Sequence, residues 1–368
     1  MKVLFVITEL YEGGAENALY RVAAQFRNRG HEVQVAALFG EEGAAGDRLR
    51  TAHIRTEGLK AHHWFYAPRA VMRLRQIINQ FKPDVIQSWL FHANVTARFA
   101  APASIPLICA LRVAEPRLTH ILLDRYTRKR VRHYVCVSES VARFAARCLR
   151  VRSGKITVVE NGVALDEYKR AASEVRVPVR KKLQGLSVGR MTVQKGFDIL
   201  LDGLAQLPRD SNWHWTFVGP QPDSKYVQKL KTQLKAESLE ERVTLYGPVA
   251  RERLVDFYRM ANIVAVPSRW AGQPNIVLEA MASGIPVVTA ETDGINDLLR
   301  QQENCVITVS PNTGTAWCDT LTKSIAAPGS LQAVKASADR LVQQRSWKKV
   351  ATRYELLYKS AVAECRKE

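Results

Sequence analysis

Short apolar, β-branched runs alternate with amphipathic stretches from one end of the chain to the other. VLFVI, EVQVAAL, DVIQS, PLICA, YVCVS and ITVVE are apolar almost throughout, as parallel strands buried on both faces are. Between them the apolar spacing predicts helices over 15–29, 69–80, 93–101, 115–130 and 140–149. A strand–helix–strand succession joined by right-handed crossovers gives a doubly wound sheet. The rhythm pauses over the polar stretch NGVALDEYKRAASEVRVP and restarts with LQGLSVGR, HWTFVG, RVTLYG, IVAVPS and IPVVTA. The expectation is an α/β protein of two Rossmann-like doubly wound domains, residues 1–165 and 166–345. A long amphipathic helix over 346–368 would pack back towards the first domain. In open sheets of this kind a ligand sits beyond the carboxyl ends of the strands. Two facing sheets would therefore gather their loops around one cleft.

At 368 residues the chain has room for two ordinary domains, and 46% hydrophobic with 24% charged residues is a globular composition. No apolar run reaches the roughly 18 residues needed to cross a bilayer. The opening MKVLFVITELYEGG reads as a first strand rather than a signal peptide, because it turns acidic and offers no small-residue cleavage site. Six cysteines lie without close pairing, which suits reduced thiols in a cytoplasmic protein and argues against a zinc knuckle. Neither Asp-x-Asp nor His-Glu-x-x-His occurs, so no metal site is expected.

The net charge of +19 calls for a phosphate-bearing partner or a solvated basic face. Roughly +12 of it falls before Asp166, concentrated in DRYTRKRVRHY and RFAARCLRVRSGK. No aromatic–glycine RNA-binding pattern accompanies these patches. A membrane surface or an anionic acceptor therefore ranks ahead of nucleic acid, which is not expected as a partner.

Chemistry should be sought just after the strands. Gly13 and Gly14 follow the first one and open a helix, where glycine allows a tight turn and a ligand's approach to free amides. A structural turn is the plainer alternative. His92 and Asn94 begin a helix after DVIQSW, and the imidazole could bond a sugar hydroxyl or shuttle a proton. Arg112, after ICAL, could meet an anion or form a surface ion pair. In the second half Gly189 and Arg190 end a strand, and Lys195 lies five residues beyond Arg190. A planar guanidinium and a mobile ammonium at that separation can straddle a diphosphate. PSRWAGQPNIVLEAMASGIPVV then runs strand, turn, helix. It places amides from Gly272 through Asn275 to Ile276 at the positive end of a helix, with Glu279 about 6 Å further along its axis. There a carboxylate can accept from both hydroxyls of a ribose.

Taken together, GGAE, KPDVIQSWLFHAN, VENGVALDEY, VGR…QKGFDIL, VTLYG, VPSRWAGQPNIVLEAMASGIPVV and SW…RYELLY resemble the retaining glycosyltransferases of family 4, which have the GT-B fold. The resemblance covers nearly the whole chain. It implies transfer of a hexose from a nucleotide sugar, a UDP-sugar foremost, to a lipid-linked or lipopolysaccharide-like acceptor, with retention of configuration. It also implies peripheral attachment to an anionic inner-membrane face through the N-terminal domain. Gly13 and Gly14 would match the family's glycine loop, and His92 a histidine on the donor sugar. Arg190 and Lys195 would hold the diphosphate and stabilise the leaving group without a metal. Glu279 would match the second Glu of the family's Glu, seven residues, Glu motif, and so bind the ribose. The first Glu of that motif falls on Ala271, and Asp293 stands where a glycine pair is common. Ala271 leaves three readings open: an altered sugar pocket, a residue lost with activity, or a deliberate substitution.

Overall fold

The computed structural model describes residues 1–11, 13–61, 67–115, 117–172, 182–208, 210–270, 273 and 275–367. The chain divides into two compact units, Met1–Gly162 together with Trp347–Glu368, and Val163–Ser346.

In the first unit seven parallel strands form one sheet: β1 Lys2–Ile7, β2 Glu32–Ala37, β3 Arg55–Gly58, β4 Val85–Trp89, β5 Leu107–Leu111, β6 His133–Cys136 and β7 Ile156–Val158. Among the described residues six α-helices connect them: α1 Gly14–Asn28, α2 Ala44–Thr51, α3 Ala67–Phe81, α4 Phe91–Ala100, α5 Leu118–Thr127 and α6 Glu139–Arg147. The spatial order β3-β2-β1-β4-β5-β6-β7 makes β1 the turning point, with Phe5 opposite Val35 on one side and Gln87 on the other. Strands β1 and β4 carry no exposed side chain, and beyond Lys2 only Gln87 and Ser88 interrupt their apolar runs.

The second unit begins with α7 Leu165–Ala172 and builds a six-stranded parallel sheet from β8 Leu183–Val188, β9 Trp213–Val218, β10 Val243–Tyr246, β11 Ile263–Val266, β12 Val287–Ala290 and β13 Ile307–Val309. Its helices are α8 Phe197–Ala205, α9 Ser224–Ala236, α10 Arg251–Met260, α11 Asn275–Ala282, α12 Asp293–Gln301, α13 Gly314–Ala326 and α14 Pro328–Gln343. The order β10-β9-β8-β11-β12-β13 repeats the logic of the first sheet, with β8 as the turning point. Separate cores form around Val264, Val277 and Met281 and around Trp213, Trp215 and Trp317. Helix α11 stops where the sequence says it must. Gly284 adopts φ +64°, its N–H reaches Met281 O at 2.8 Å, and Ile285 N–H reaches Ala280 O at 3.0 Å.

The final helix, α15 Trp347–Cys365, belongs to the first unit. Tyr354 lies 6.0 Å from Trp89 and Tyr358 5.3 Å from Phe26, while the Tyr358 hydroxyl bonds Gln87 at the heart of the sheet. Arg29 clasps the helix from outside, donating to Glu355 Oε2 at 2.8 Å, to Thr352 Oγ1 at 2.9 Å and to Lys348 O at 2.6 Å.

Three elements depart from the sequence expectation. Strand β3, RTEG, and strand β13, ITV, were not expected; the first is polar and the second only three residues long. The supposed linker after Asn161 contains α7, whose Tyr168 is fully buried and packs on Tyr258 at 5.7 Å.

Candidate active site

Both sheets follow one topological rule: ligands collect at the carboxyl ends of the strands where the strand order reverses. In the first unit that point lies between β1 and β4, in the second between β8 and β11. The predicted site residues that are described fall on the loops and helices that follow these four strands, except Arg112, which follows β5.

After β1, Gly13 caps α1 in an extended conformation and Gly14 is the helix's first residue. A Cβ on Gly13 would stand 2.1 Å from Glu16 Oε2. What approaches this glycine so closely is therefore the chain's own buried carboxylate, in the first turn of the same helix. After β4, Leu90 turns the chain with φ 72°, and α4 starts at Phe91, two residues earlier than expected. His92 is exposed, with its ring 5.4 Å from Phe91, 6.2 Å from Phe39 and 6.0 Å from His120. Partial burial, helped by His120 and Arg117, lowers the His92 pKa from 6.5, so the neutral ring prevails at pH 7. Asn94 plays a structural part, accepting from Ser88 Oγ at 2.7 Å and donating to Ala110 O at 3.1 Å, and so fixes α4 on β4 and β5. Arg112 does not form the surface ion pair. It stacks over Trp89 at 4.9 Å and donates to Asn161.

In the second unit the backbone itself is shaped around the cations. Gly189 takes φ +154°, and a Cβ there would press within 3.3 Å of the Lys195 side-chain stem. Lys195 ends a single 3-10 turn, Val193–Lys195. Gly196 follows in the left-handed region, φ +66°, where a Cβ would be 2.1 Å from Pro267 O. Two glycines thus bring the Lys195 turn flat against the end of β8 and the loop after β11. Arg190 is exposed and Lys195 half-buried, and neither makes an ion pair among the described residues. Burial, reinforced by the charge on Arg190, pushes Lys195 from 10.5 down to about 8. Two cations held close without an anion are poised for a polyanionic ligand.

A staple that the sequence did not announce keeps this turn in place. Asp198, in the first turn of α8, receives two bonds from Arg269 at 2.9 Å each, one from Lys229 at 2.7 Å and one from the Tyr226 hydroxyl at 2.8 Å. Arg269 also donates to Val193 O at 2.7 Å, and its backbone N–H to Gln194 O at 2.9 Å. Burial alone would raise the Asp198 pKa; the bonds from Arg269, Lys229 and Tyr226 outweigh it and hold the carboxylate far below its usual range. The two strand-end loops at the turning point of the sheet are locked together in this way.

On α11, Asn275 is the first residue, and Ile276 beside it is half-buried. Gly272 and Ala271 lie outside the described residues. Glu279 is buried and already engaged: Arg251 Nη2 donates to Oε1 at 3.0 Å and the Tyr258 hydroxyl to Oε2 at 3.2 Å. Arg251 in turn donates to the Tyr168 hydroxyl at 2.6 Å. Each carboxylate oxygen keeps a lone pair for a further donor. Arg251, Tyr258, Asp198 and Arg269 were missed in the sequence because each acts through a partner at least 21 residues away. Among the described residues no group of three or more His, Cys, Asp and Glu side chains could hold a metal ion.

Comparison with known proteins completes the assignment of class. Residues 12–167 match the model described as Glycosyltransferase Family 4, and residues 183–326 the model described as Glycosyl transferases group 1. With the two parallel sheets, these domains make this a chain of the GT-B glycosyltransferase class. The D-inositol 3-phosphate glycosyltransferase of Xylanimonas cellulosilytica is 30% identical over 208 residues, covering 54% of this chain and 49% of that protein. The chain spans about half the length of the curated relatives it matches. Among solved structures, Anabaena HepE in complex with UDP-glucose has a TM-score of 0.85 at 21% identity, over 98% of this chain and 100% of that one. WaaG, a glycosyltransferase involved in lipopolysaccharide biosynthesis, has a TM-score of 0.72 at 14% identity, over 96% and 98% of the two chains. Both likenesses are of fold.

Proposed function

We propose that this chain transfers a hexose from a nucleotide sugar, a UDP-sugar foremost, to an anionic lipid-linked or lipopolysaccharide-type acceptor, with retention and without a metal. Residues 166–345 would hold the donor and residues 1–165 the acceptor. The observation that carries the reading is the pair Arg190 and Lys195, two cations without an ion-pair partner among the described residues, set around Gly189 at the turning point of a doubly wound sheet.

Cleavage of the sugar–phosphate bond leaves the bonding electron pair on the departing nucleotide and positive charge on the sugar ring. Arg190 and Lys195 stabilise the first of these, assisted by the amides that open α11 at Asn275 and Ile276. Gly189 lets the lysine stem cross the backbone. Glu279 accepts from the ribose while Arg251 balances its charge, and His92, as a neutral ring, bonds the transferred sugar. Gly13 and Gly14 shape the acceptor-side loop around Glu16. The acceptor class draws on the charge of the first unit, on the phosphorylated acceptor in the Xylanimonas relative's name and on WaaG's role.

The test is hydrolysis and transfer over a panel of UDP-, GDP- and ADP-sugars, with a thermal shift for each. A ligand at 100 times its Kd adds about 2.7 kcal/mol of stability. Loss of that shift in Arg190→Ala and Lys195→Met supports the clamp; an undiminished shift in both rejects it. Ala271 motivates a second reading, a chain that binds sugar nucleotides without turning them over. If neither the parent nor Ala271→Glu consumes any donor although both bind one, the second reading replaces the first.

A further inference from the structure

Arg98 and Arg251, both largely buried, each meet a carboxylate, Asp124 in one case and Glu279 in the other. Arg112 does not. It lies just beyond β5, at the carboxyl edge of the first sheet, and has no ion-pair partner among the described residues. One face of its guanidinium covers the Trp89 ring, 4.9 Å from the centroid, and Nη2 donates to Asn161 Oδ1. Trp89 is fully buried, and its Nε1 is a further donor without an acceptor among the described residues. Burial lowers the pKa of Arg112; the nearby Tyr354 and the charge of Glu16, in the first turn of α1, act against burial without outweighing it. The neighbourhood is thus rich in donors and short of negative charge.

A buried cation that lacks an anion weakens a fold, and a neutral side chain would cover Trp89 and hold Asn161 at less cost. The stack on Trp89 and the bond to Asn161 do something a neutral residue would not: they fix the plane of a charged fork before any ligand arrives. The side chain remains part-exposed, so the edge turned away from Asn161 can be reached from solvent. Strand β5 pairs with β4, Ala110 opposite Trp89, and α4 with His92 follows β4, so this edge belongs to the same group of strand ends as His92. We infer that Arg112 reads an anionic substituent, a carboxylate or a phosphate, on a sugar brought to the carboxyl ends of β4 and β5. Both groups offer the paired oxygens that a guanidinium grips with two parallel bonds. The charge is carried either by the transferred sugar, which is then a sugar acid, or by the sugar of the acceptor. The inference rests on the proposed glycosyl transfer for the sugar, and on Arg112 alone for the anion.

The experiment is calorimetry on the full chain with matched ligands. UDP-glucuronate against UDP-glucose probes the donor; glucose 6-phosphate against glucose, with UDP present, probes the acceptor. The parent should bind the acidic member of one pair at least about tenfold more tightly, and the pair that responds identifies which substrate carries the charge. In Arg112→Gln, which can still donate to Asn161, the ratio within that pair should fall to about one. Arg112→Lys has the charge without the fork and should keep a smaller preference. Where the Gln variant fails to fold, an undiminished preference in Arg112→Lys would overturn the assignment. So would a parent with no preference in either pair, or the same preference in Arg112→Gln. UDP alone separates the two readings: a chain that binds UDP yet favours neither acid loses this inference and keeps the proposed donor site. A chain that ignores UDP and still favours an acidic sugar through Arg112 loses the donor site and keeps the inference.

Discussion

If Lys195 waits for a diphosphate with its pKa pushed down to about 8, donor affinity must depend on pH in a way that reports this one group. A nucleotide sugar's diphosphate does not change charge between about pH 7 and pH 9, so titration of the ligand does not confuse the reading. Below pH 8 the free protein carries the Lys195 proton and binds directly. At about pH 9 only a tenth of the free molecules carry it, whereas a bound diphosphate would return the group towards its ordinary 10.5. Affinity should then fall about tenfold from pH 7 to pH 9, or about 1.4 kcal/mol, with uptake of a proton on binding. Calorimetry in two buffers of different ionisation heat measures both quantities. Lys195→Arg should bind without the slope, and Lys195→Met should bind weakly, also without it. The stability of the free protein should move the opposite way. Between about pH 8 and 10.5 the unfolded chain holds the lysine proton and the folded chain does not, so Lys195 makes stability rise with pH there. A flat affinity in the parent, or the same slope in Lys195→Met, would refute the assignment of this lysine to the diphosphate.

Other perturbations follow from the same geometry. Gly189→Ala puts a methyl at φ +154° against the Lys195 stem and should cost about 1–3 kcal/mol in chemical denaturation together with most donor affinity, whereas Gly154→Ala, in open space, should stay within about 0.5 kcal/mol. Asp198→Asn should cost about 2 kcal/mol at neutral pH, a buried pair discounted for the exposure of Arg269 and Lys229. Because the folded Asp198 pKa is depressed, its stabilisation is complete above the unfolded value near 4 and fades as pH falls towards the folded value; melts at about pH 7 and pH 3 should show the gap between parent and variant shrinking. Glu279→Gln should cost roughly 2–3 kcal/mol, because the buried Arg251 loses its nearer carboxylate and keeps only the half-exposed Glu167 at 3.7 Å. Adding Arg251→Met should recover much of that stability but not the nucleotide affinity, as melting and binding curves on the double variant will show.

Most strands were legible because buried parallel strands are largely apolar: β11 is so throughout and β1 beyond Lys2, while Gln87 and Ser88 in β4 and Gln184 and Ser187 in β8 only interrupt the run. Strand β3 hid because an edge position tolerates Arg55, Thr56 and Glu57, and α7 hid inside a stretch whose polarity outweighed the single anchor Tyr168. Gly189, Arg190 and Lys195 could be picked out because they sit within seven residues of each other. The staple from Asp198 to Arg269 could not, since it spans 71 residues and exists only once β8 and β11 lie side by side. That α5 buries Asp124 and Thr127 and leaves Leu118 and Leu122 exposed was equally hidden. Its sequence gives leucines at helical spacing, which ordinarily mark a core, and only the distant Arg98, paired with Asp124, decides which way they turn.

Helix α15 also bears on the order in which the chain acquires its shape. The ribosome makes all thirteen strands of the described residues before it makes the tyrosines that fill the space over Trp89 and Gln87. The first-made sheet must therefore wait, with that apolar surface wet, while the uninterrupted second unit can complete itself. Early termination or clipping near the carboxyl terminus would injure the amino-terminal half of the molecule and spare the part synthesised just before the cut.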